Sequence, residues 1–417
     1  MKNIKALLIL LLLSVSVFPQ ADKNGGSLYS IFGLGELTYS ASTRTDGMGI
    51  MGIGLYGNYS NTFNPAAWTK IQSTIFTTKF NFDRIVSTDG TNEAKRVYGN
   101  FESFNLAIPL NKGNGWIFSL GLDNYSNVNY DTKFSSSIEN ENYTQTYSGN
   151  GGLNRLNLGF SYIIFKNFSI GAQFNYTFGN INRILNIDFT NPLLFDTKNR
   201  TENQINGFYF NTGLIFHGFD KLFKSKKLKD MTLGVYFSTP SKFNSSINGR
   251  YSRTITQIDS VAINDGKIDI PWSFGVGFSN IFNNRLTVAA DLFMQNWDNY
   301  KYYGSHPLEI KNSMRLGAGI EFTDSKKPED SYFKRVSLRF GGFYQAEYLR
   351  INNEPINTFG LSAGLSLPIG YLNAVDLLFQ YYTRGKTTNG LIRDNVIKFG
   401  ASIKIGELWF LKPSEDF

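Results

Sequence analysis

The sequence predicts an all-β fold: a transmembrane antiparallel β-barrel of about fourteen strands with an N-terminal plug inside its lumen. Three observations carry this expectation: an export signal, apolar alternation at period two over long segments, and short turns that alternate with longer polar connections. Lys2 and Lys5 precede the apolar run Ala6 to Val17, which is too short and wrongly flanked for a membrane helix. Residues 1–21 are read as a signal peptide, cleaved near Gln20 or Ala21. Beyond it no apolar run approaches the length of a spanning helix.

Alternation runs through Trp116 to Leu122, Leu156 to Tyr162, Phe168 to Tyr176, Leu286 to Gln295, Met314 to Phe322 and Ile397 to Ile405. Large apolar side chains fall on one face and mostly small or polar ones on the other, as a strand between two different surroundings requires. The segments run roughly 11 to 16 residues, whereas soluble strands average about 5 to 6 and a tilted membrane strand needs about 9 to 11. Tyr381, Tyr382, Trp116 and Trp297 sit near segment ends, where interfacial girdles form. Lipid offers no partner to an open sheet edge, so the strands must close.

Fourteen strands are expected to begin near Thr74, Gly99, Trp116, Leu153, Phe168, Asn206, Met231, Trp272, Arg285, Asn312, Arg335, Thr358, Tyr371 and Asn395. Asn111 to Asn114, Lys166-Asn167, Asn283-Asn284 and Gly370 read as tight turns, with longer ones at Phe219 to Asp230 and Thr323 to Tyr332. These turns and both chain ends are placed in the periplasm of a Gram-negative bacterium. Asp131 to Gly151, Ile184 to Glu202 and Pro240 to Ile270 read as long polar loops on the opposite, extracellular side.

Residues 22–70 form a separate N-terminal plug or hatch, and 71–417 the barrel. The stretch before Thr69 does not alternate and is rich in glycine, from Gly33 to Gly57. It is too short and too glycine-rich to build a domain alone, yet it carries Phe32, Leu34, Met48 and Met51 among other apolar residues. Inside the barrel it would fill a lumen otherwise wide enough for water.

Asn64-Pro65-Ala66-Ala67, after the glycine-rich stretch and ahead of the first strand, resembles the Asn-Pro-Ala signature of the FadL-type long-chain fatty-acid and hydrophobic-compound transporter family of the outer membrane. Ser27 to Gly35, Arg44 and Gly47 to Gly54 look like its Bacteroidetes-type branch. Val235 to Pro240, Pro271, Asp291 and Trp297 are similar to its later strands. The resemblance implies a monomeric barrel in outer-membrane lipid, an N-terminal hatch, and passive diffusion of fatty acids or similar hydrophobic molecules. A second function met on this fold is a shuttle that binds secreted cargo proteins in type IX secretion.

Other chemistries find little support. The chain has no cysteine, which excludes a lipobox, disulfides, thiol catalysis and Cys-based zinc sites. Only His217 and His306 exist, near opposite ends by this topology, so no His-paired metal site is expected. Gly360 to Gly364 matches a nucleophile-elbow pattern but continues a strand alternation, whereas an elbow needs a strand-to-helix turn. Gly47 to Gly52 matches a dinucleotide fingerprint without its βαβ frame. The formal charge of +8 owes much to Lys221, Lys224, Lys226, Lys227 and Lys229, which read as a solvated turn and not as a nucleic-acid groove. No enzyme activity, cofactor or nucleic-acid partner is expected.

Charges on the inward parity form the candidate lumen set: Arg155, Asp291, Arg315, Glu321, Arg335, Arg339, Asp376 and Lys398, with Phe293 as an apolar neighbour. Confined charges need partners, so most should pair with one another or with plug backbone. Hatch residues Phe32, Leu34, Met48, Met51 and Asn64 to Ala67 are the expected ligand-binding and gating positions.

Overall fold

The computed structural model describes residues 25–39, 42–138, 141–253 and 257–408; the expected signal segment and the terminal Phe417 lie outside them. Strands are β1 (Thr74–Thr88), β2 (Glu93–Asn111), β3 (Trp116–Ile138), β4 (Glu141–Phe165), β5 (Phe168–Phe189), β6 (Thr197–His217), β7 (Thr232–Ser238, continuing as Ser241–Arg253) and β8 (Gln257–Ile270, continuing as Ser273–Phe282). They continue as β9 (Leu286–Gln295), β10 (Ser313–Thr323), β11 (Ser337–Ile351), β12 (Glu354–Pro368), β13 (Ala374–Gly385) and β14 (Arg393–Glu407). Each pairs antiparallel with the next. β14 returns to β1 along its whole length, from Arg393 opposite Thr88 to Glu407 opposite Thr74, and closes the barrel. The rim where β1 starts and β14 ends is the terminal rim; the opposite one is distal.

The two interruptions fall at Thr239-Pro240 and Pro271-Trp272. Both contain proline, which has no N–H to give to a ladder. Tight turns at the terminal rim follow the sequence; Asn283 and Asn284 both take positive φ, 50° and 56°, the backbone that a two-residue hairpin requires.

Side-chain polarity is inverted relative to a soluble protein. Phe82, Phe399, Phe379, Ala363, Phe340, Ile320 and Val288 are successive cross-strand partners from β1 round to β9, and Phe399 is 54% and Phe340 55% exposed. The alternate positions, such as Lys79, Asn81, Asp83, Gln380 and Ser402, are buried. An outward apolar band around a polar interior is stable only where lipid is the outer solvent. Replacing Phe399 by arginine is therefore expected to cost about 2–4 kcal/mol of barrel stability. Urea titration of the folded fraction in lipid vesicles measures this; an unchanged midpoint would place Phe399 outside the membrane.

The expected long distal loops are instead strand. β3, β4, β5 and β6 run 23, 25, 22 and 21 residues, about twice what a bilayer crossing needs. Their distal halves take in most of Asp131 to Gly151 and parts of Ile184 to Glu202, and β7 and β8 likewise take in most of Pro240 to Ile270. Beyond the membrane both faces meet water, so the apolar alternation that marks a strand disappears although the hydrogen-bond ladder continues. Tyr143 still pairs with Phe189, and Thr197 with Arg253.

Candidate functional site

The lumen site is built by residues 42–72, which follow the inner wall strand by strand. Gly47 packs on Gly364 of β12, the Met48 carbonyl on Gly341 of β11 and Gly319 of β10, and Gly49 on Gly317 of β10. Ile53 and Gly54 lie on Gly277 of β8 and Gly234 of β7, Asn64 on Gly213 of β6, Pro65 on Gly171 of β5, and Trp68 on Gly159 of β4. The wall is paved with glycine because backbone meets backbone there: a Cβ at Gly341 would lie 1.9 Å, and at Gly319 2.1 Å, from the Met48 oxygen. The belt's own turns use Gly49 and Gly52 at φ 68° and 85°, backbone that favours glycine.

β9 contributes a carboxylate in place of a glycine. Asp291, 6% exposed, accepts hydrogen bonds from the backbone N–H groups of Met51 at 3.0 Å, Gly52 at 2.8 Å and Ile53 at 3.3 Å. Three orphan donors are thereby satisfied by one buried charge, each bond worth about 1.5–3 kcal/mol.

The Asn-Pro-Ala-Ala sequence has a local explanation. Asn64 caps the short helix Pro65–Lys70, accepting from the Ala66 N–H at 3.0 Å, and its amide donates to the Ile53 carbonyl at 2.7 Å. Proline suits the first helical position because its missing N–H has no helical partner anyway. Ala66 and Ala67 are fully buried beside Ile215, where a larger side chain has no room.

The inward charges pair. Glu321 of β10 accepts from Arg44 of the belt at 2.6 Å and from Arg339 of β11 at 2.7 Å, and Arg339 donates to Asp376 of β13 at 2.8 Å. Arg155 of β4 meets Asp123 of β3 at 2.7 Å, and Lys398 of β14 stands 3.7 Å from Asp83 of β1. Lys79 bridges Glu102 and the belt's Asp46. Arg384 bonds Glu36. Arg315 donates to Gln345 at 2.8 Å and lies 3.8 Å over the Phe343 ring. Replacing Arg339 by methionine would leave Glu321 and Asp376 short of a partner in a buried site, a loss of about 3–5 kcal/mol. A urea midpoint within error of the parent would show that water compensates both carboxylates.

Sequence parity had placed Arg155, Asp291, Arg315, Glu321, Arg339, Asp376 and Lys398 inward, and all of them face the lumen. Arg335 instead ends a short helix, Tyr332–Arg335, at the terminal rim. Lys79, Asp83, Glu102, Asp123, Glu347 and Arg384 were missed as lumen charges, although Lys79 and Asp83 share one parity in the strand that opens at Thr74.

Phe293 is 4% exposed and lines an aromatic pocket with Phe63 at 5.4 Å, Tyr39 at 5.8 Å and Tyr236 at 6.2 Å between ring centres. Met51 packs in the same cluster, Met48 in a neighbouring one, and Leu34 with Phe32 in a third nearer the distal rim. The pocket's cavity is about 50 Å³, and Leu37, Thr38 and Tyr39 form part of its lining.

Residues 25–39 close a seam. The β2–β3 ladder stops at Ser103 opposite Asp123. Distal to it Leu37 pairs with Ser126, Glu36 with Asn127, and the Thr38 N–H bonds the Tyr125 carbonyl at 3.0 Å. Ser27 bonds Asp394, and the Tyr348 hydroxyl reaches the Gly35 carbonyl. The two histidines lie at opposite rims: His217 stacks on Tyr56, and His306 bonds the Tyr300 carbonyl. Ser362 is a buried lumen residue on β12 that accepts from Gln380 at 2.8 Å.

Comparison with known proteins places this architecture. Solved structures share the fold, among them the following. A FadL homologue from Pseudomonas aeruginosa superposes with TM-score 0.59 at 14% identity, over 88% of this chain and 99% of that one. The toluene transporter TbuX of Ralstonia pickettii gives 0.58 at 13% identity over the same shares. The toluene transporter TodX of Pseudomonas putida gives 0.53 at 15%, over 89% of this chain and 99% of that one. No curated protein matches the sequence. The sequence profile of the BamG family matches residues 2–414. An outer-membrane barrel of FadL type in architecture, matched to that profile along almost its whole length, this chain belongs to the BamG family.

Proposed function

We propose that the protein is an outer-membrane channel for small hydrophobic molecules, long-chain fatty acids or monoaromatic compounds, held shut by its N-terminal segment. The carrying observation is the aromatic pocket between Tyr39, Phe63, Tyr236 and Phe293. Its cavity of about 50 Å³ is well below the roughly 150 Å³ that holds a benzene ring in a protein interior. The Tyr39 ring therefore occupies the place a ligand would take, against Phe293 on one side and Arg315, 6.0 Å away, on the other.

Residues 36–39 are the moving part in this reading. Their withdrawal would open the pocket and, in the same step, unpair the seam at Ser126 and Asn127. Met48, Met51 and Asn64 to Ala67 act as the anchor, because their backbone is pressed on the wall. The terminal rim faces the periplasm and the tall distal strands face outward, with both chain ends periplasmic and the barrel a monomer. Neighbouring structures support the class of cargo, since two of them are toluene transporters by name.

Tyr39→Ala is the test. It should enlarge the pocket by about one ring and raise the affinity for toluene several-fold, measured by calorimetry on the detergent-solubilised barrel. Phe293→Ala in the same background should remove that gain. Absence of toluene and oleate binding in both the parent and Tyr39→Ala would end this reading.

A further inference from the structure

At the terminal rim a cavity of about 360 Å³ opens beneath the belt. Its inner floor is the Arg44–Glu321–Arg339–Asp376 network, two cations against two carboxylates. Four more cations line the same cavity: Lys79, held by Asp46 and Glu102, and three others, Lys404 from β14, Lys326 from the β10–β11 connection, and Arg335. Among the described residues none of the three has a carboxylate within ion-pair distance. The Arg335 Nε is buried without a hydrogen-bond partner, its terminal nitrogen reaches the Gly370 carbonyl at 3.5 Å, and its guanidinium lies 5.8 Å from the Tyr332 ring centre.

That departs from most other lumen cations, Arg315 on Gln345 being an exception. Arg155, Lys79, Arg384 and Lys398 each face an acid. Three cations that converge on one partly enclosed space repel one another, and the carboxylates beside them, Glu321 and Asp376, are already bonded to Arg44 and Arg339. The Ser366 and Ser402 side chains line the same cavity and add hydroxyl groups able to donate. Cations and hydroxyls converging on a cavity of this size match the needs of a carboxylate or phosphate, which accepts several charge-assisted bonds at once.

We propose that this cavity is an oxyanion site, formed by Lys326, Arg335 and Lys404, that takes the carboxylate or phosphate group of a ligand at the terminal mouth. The site is separate from the aromatic pocket and stands whether or not a hydrophobic molecule crosses the barrel. The oxyanion belongs either to the head of an amphiphile or to free phosphate.

The experiment uses the full chain, purified in a neutral detergent, with calorimetric titration of oleate, methyl oleate and inorganic phosphate. Variants are Lys404→Gln, Lys326→Gln and the Lys326→Gln/Arg335→Gln pair, with Phe293→Ala as the aromatic-pocket control. Lys326→Gln lies in an exposed connection and leaves the barrel ladder untouched; gel mobility with and without heating verifies folding of every variant. Oleate is expected to bind more tightly than methyl oleate, and to lose about tenfold in affinity with each lost cation. Inorganic phosphate binding with the same dependence would assign the site to the free anion; oleate binding alone would assign it to an amphiphile head. Loss of oleate binding in Phe293→Ala alone would instead place the ligand in the aromatic pocket and overturn the mouth site. Equal binding of oleate and its ester, unaffected by the lysine and arginine variants, would overturn it too, as would no binding of either anion. Failure of the channel reading leaves a different mark: anion binding that depends on the cations and is indifferent to Phe293.

Discussion

Replacing Gly341 by alanine should lift residues 47–50 off the wall and turn a closed barrel into a conducting one. The new Cβ would lie 1.9 Å from the Met48 oxygen and 2.2 Å from its carbonyl carbon. Both are backbone atoms, so no side-chain rotation relieves the clash. Gly319, whose Cβ would meet the same oxygen at 2.1 Å, blocks a shift toward β10. Overpacking of this kind costs about 1–3 kcal/mol, or more where the surroundings are rigid, and the belt is the part that can yield, since the barrel wall is held by ladders on both sides. Planar-bilayer recordings should show a several-fold rise in conductance over the parent. Gly342→Ala is the control: it is the next residue, faces outward, and its Cβ would meet nothing nearer than 3.2 Å. Equal conductance in the two variants would mean that the belt does not obstruct the lumen.

Asp291→Ala should have an effect of similar size by a different route. It removes the acceptor for the Met51, Gly52 and Ile53 N–H groups. Each donor left buried and unpaired costs about 1–3 kcal/mol, so the belt would leave its β9 contact or admit water to it. Amide hydrogen exchange should quicken at residues 51–53 and remain slow in β9 and β10. Asp291→Asn is expected to fall between, because an amide keeps one acceptor oxygen and sets two N–H groups against three others. Exchange at residues 51–53 that does not change in Asp291→Ala would show that glycine packing alone holds the belt.

Strand positions were readable wherever lipid meets the barrel. The expected starts at Thr74, Trp116 and Phe168 are the observed ones, and those near Met231, Arg285 and Asn312 fall one residue early. There an apolar face alternates with a polar one, which forces period two into the sequence. Legibility ended at the membrane boundary: Gly99, Leu153, Asn206 and Trp272 mark about where the apolar band begins in β2, β4, β6 and β8, and the strands extend further distally. At the site, parity sufficed to turn Arg339, Glu321 and Asp376 inward, but it did not reveal their pairing, which depends on strand register. The path of the belt left only an ambiguous trace. Gly317 and Gly319 read as small inward residues, and nothing in them says that Met48 and Gly49 lie on top. The lumen role of Arg44 was equally hidden, since it sits in a five-residue helix, Thr43–Gly47, with no alternation to orient it.

Closure of the lumen by the N-terminal segment has a direct readout. It is tested most directly by single-channel recording of the intact barrel beside one lacking residues 25–70, both verified as folded by heat-dependent gel mobility. The expected result is an intact barrel that is shut and a truncated one that conducts steadily. An intact barrel that conducts as freely as the truncated form, or a folded truncated barrel that stays silent, would contradict it.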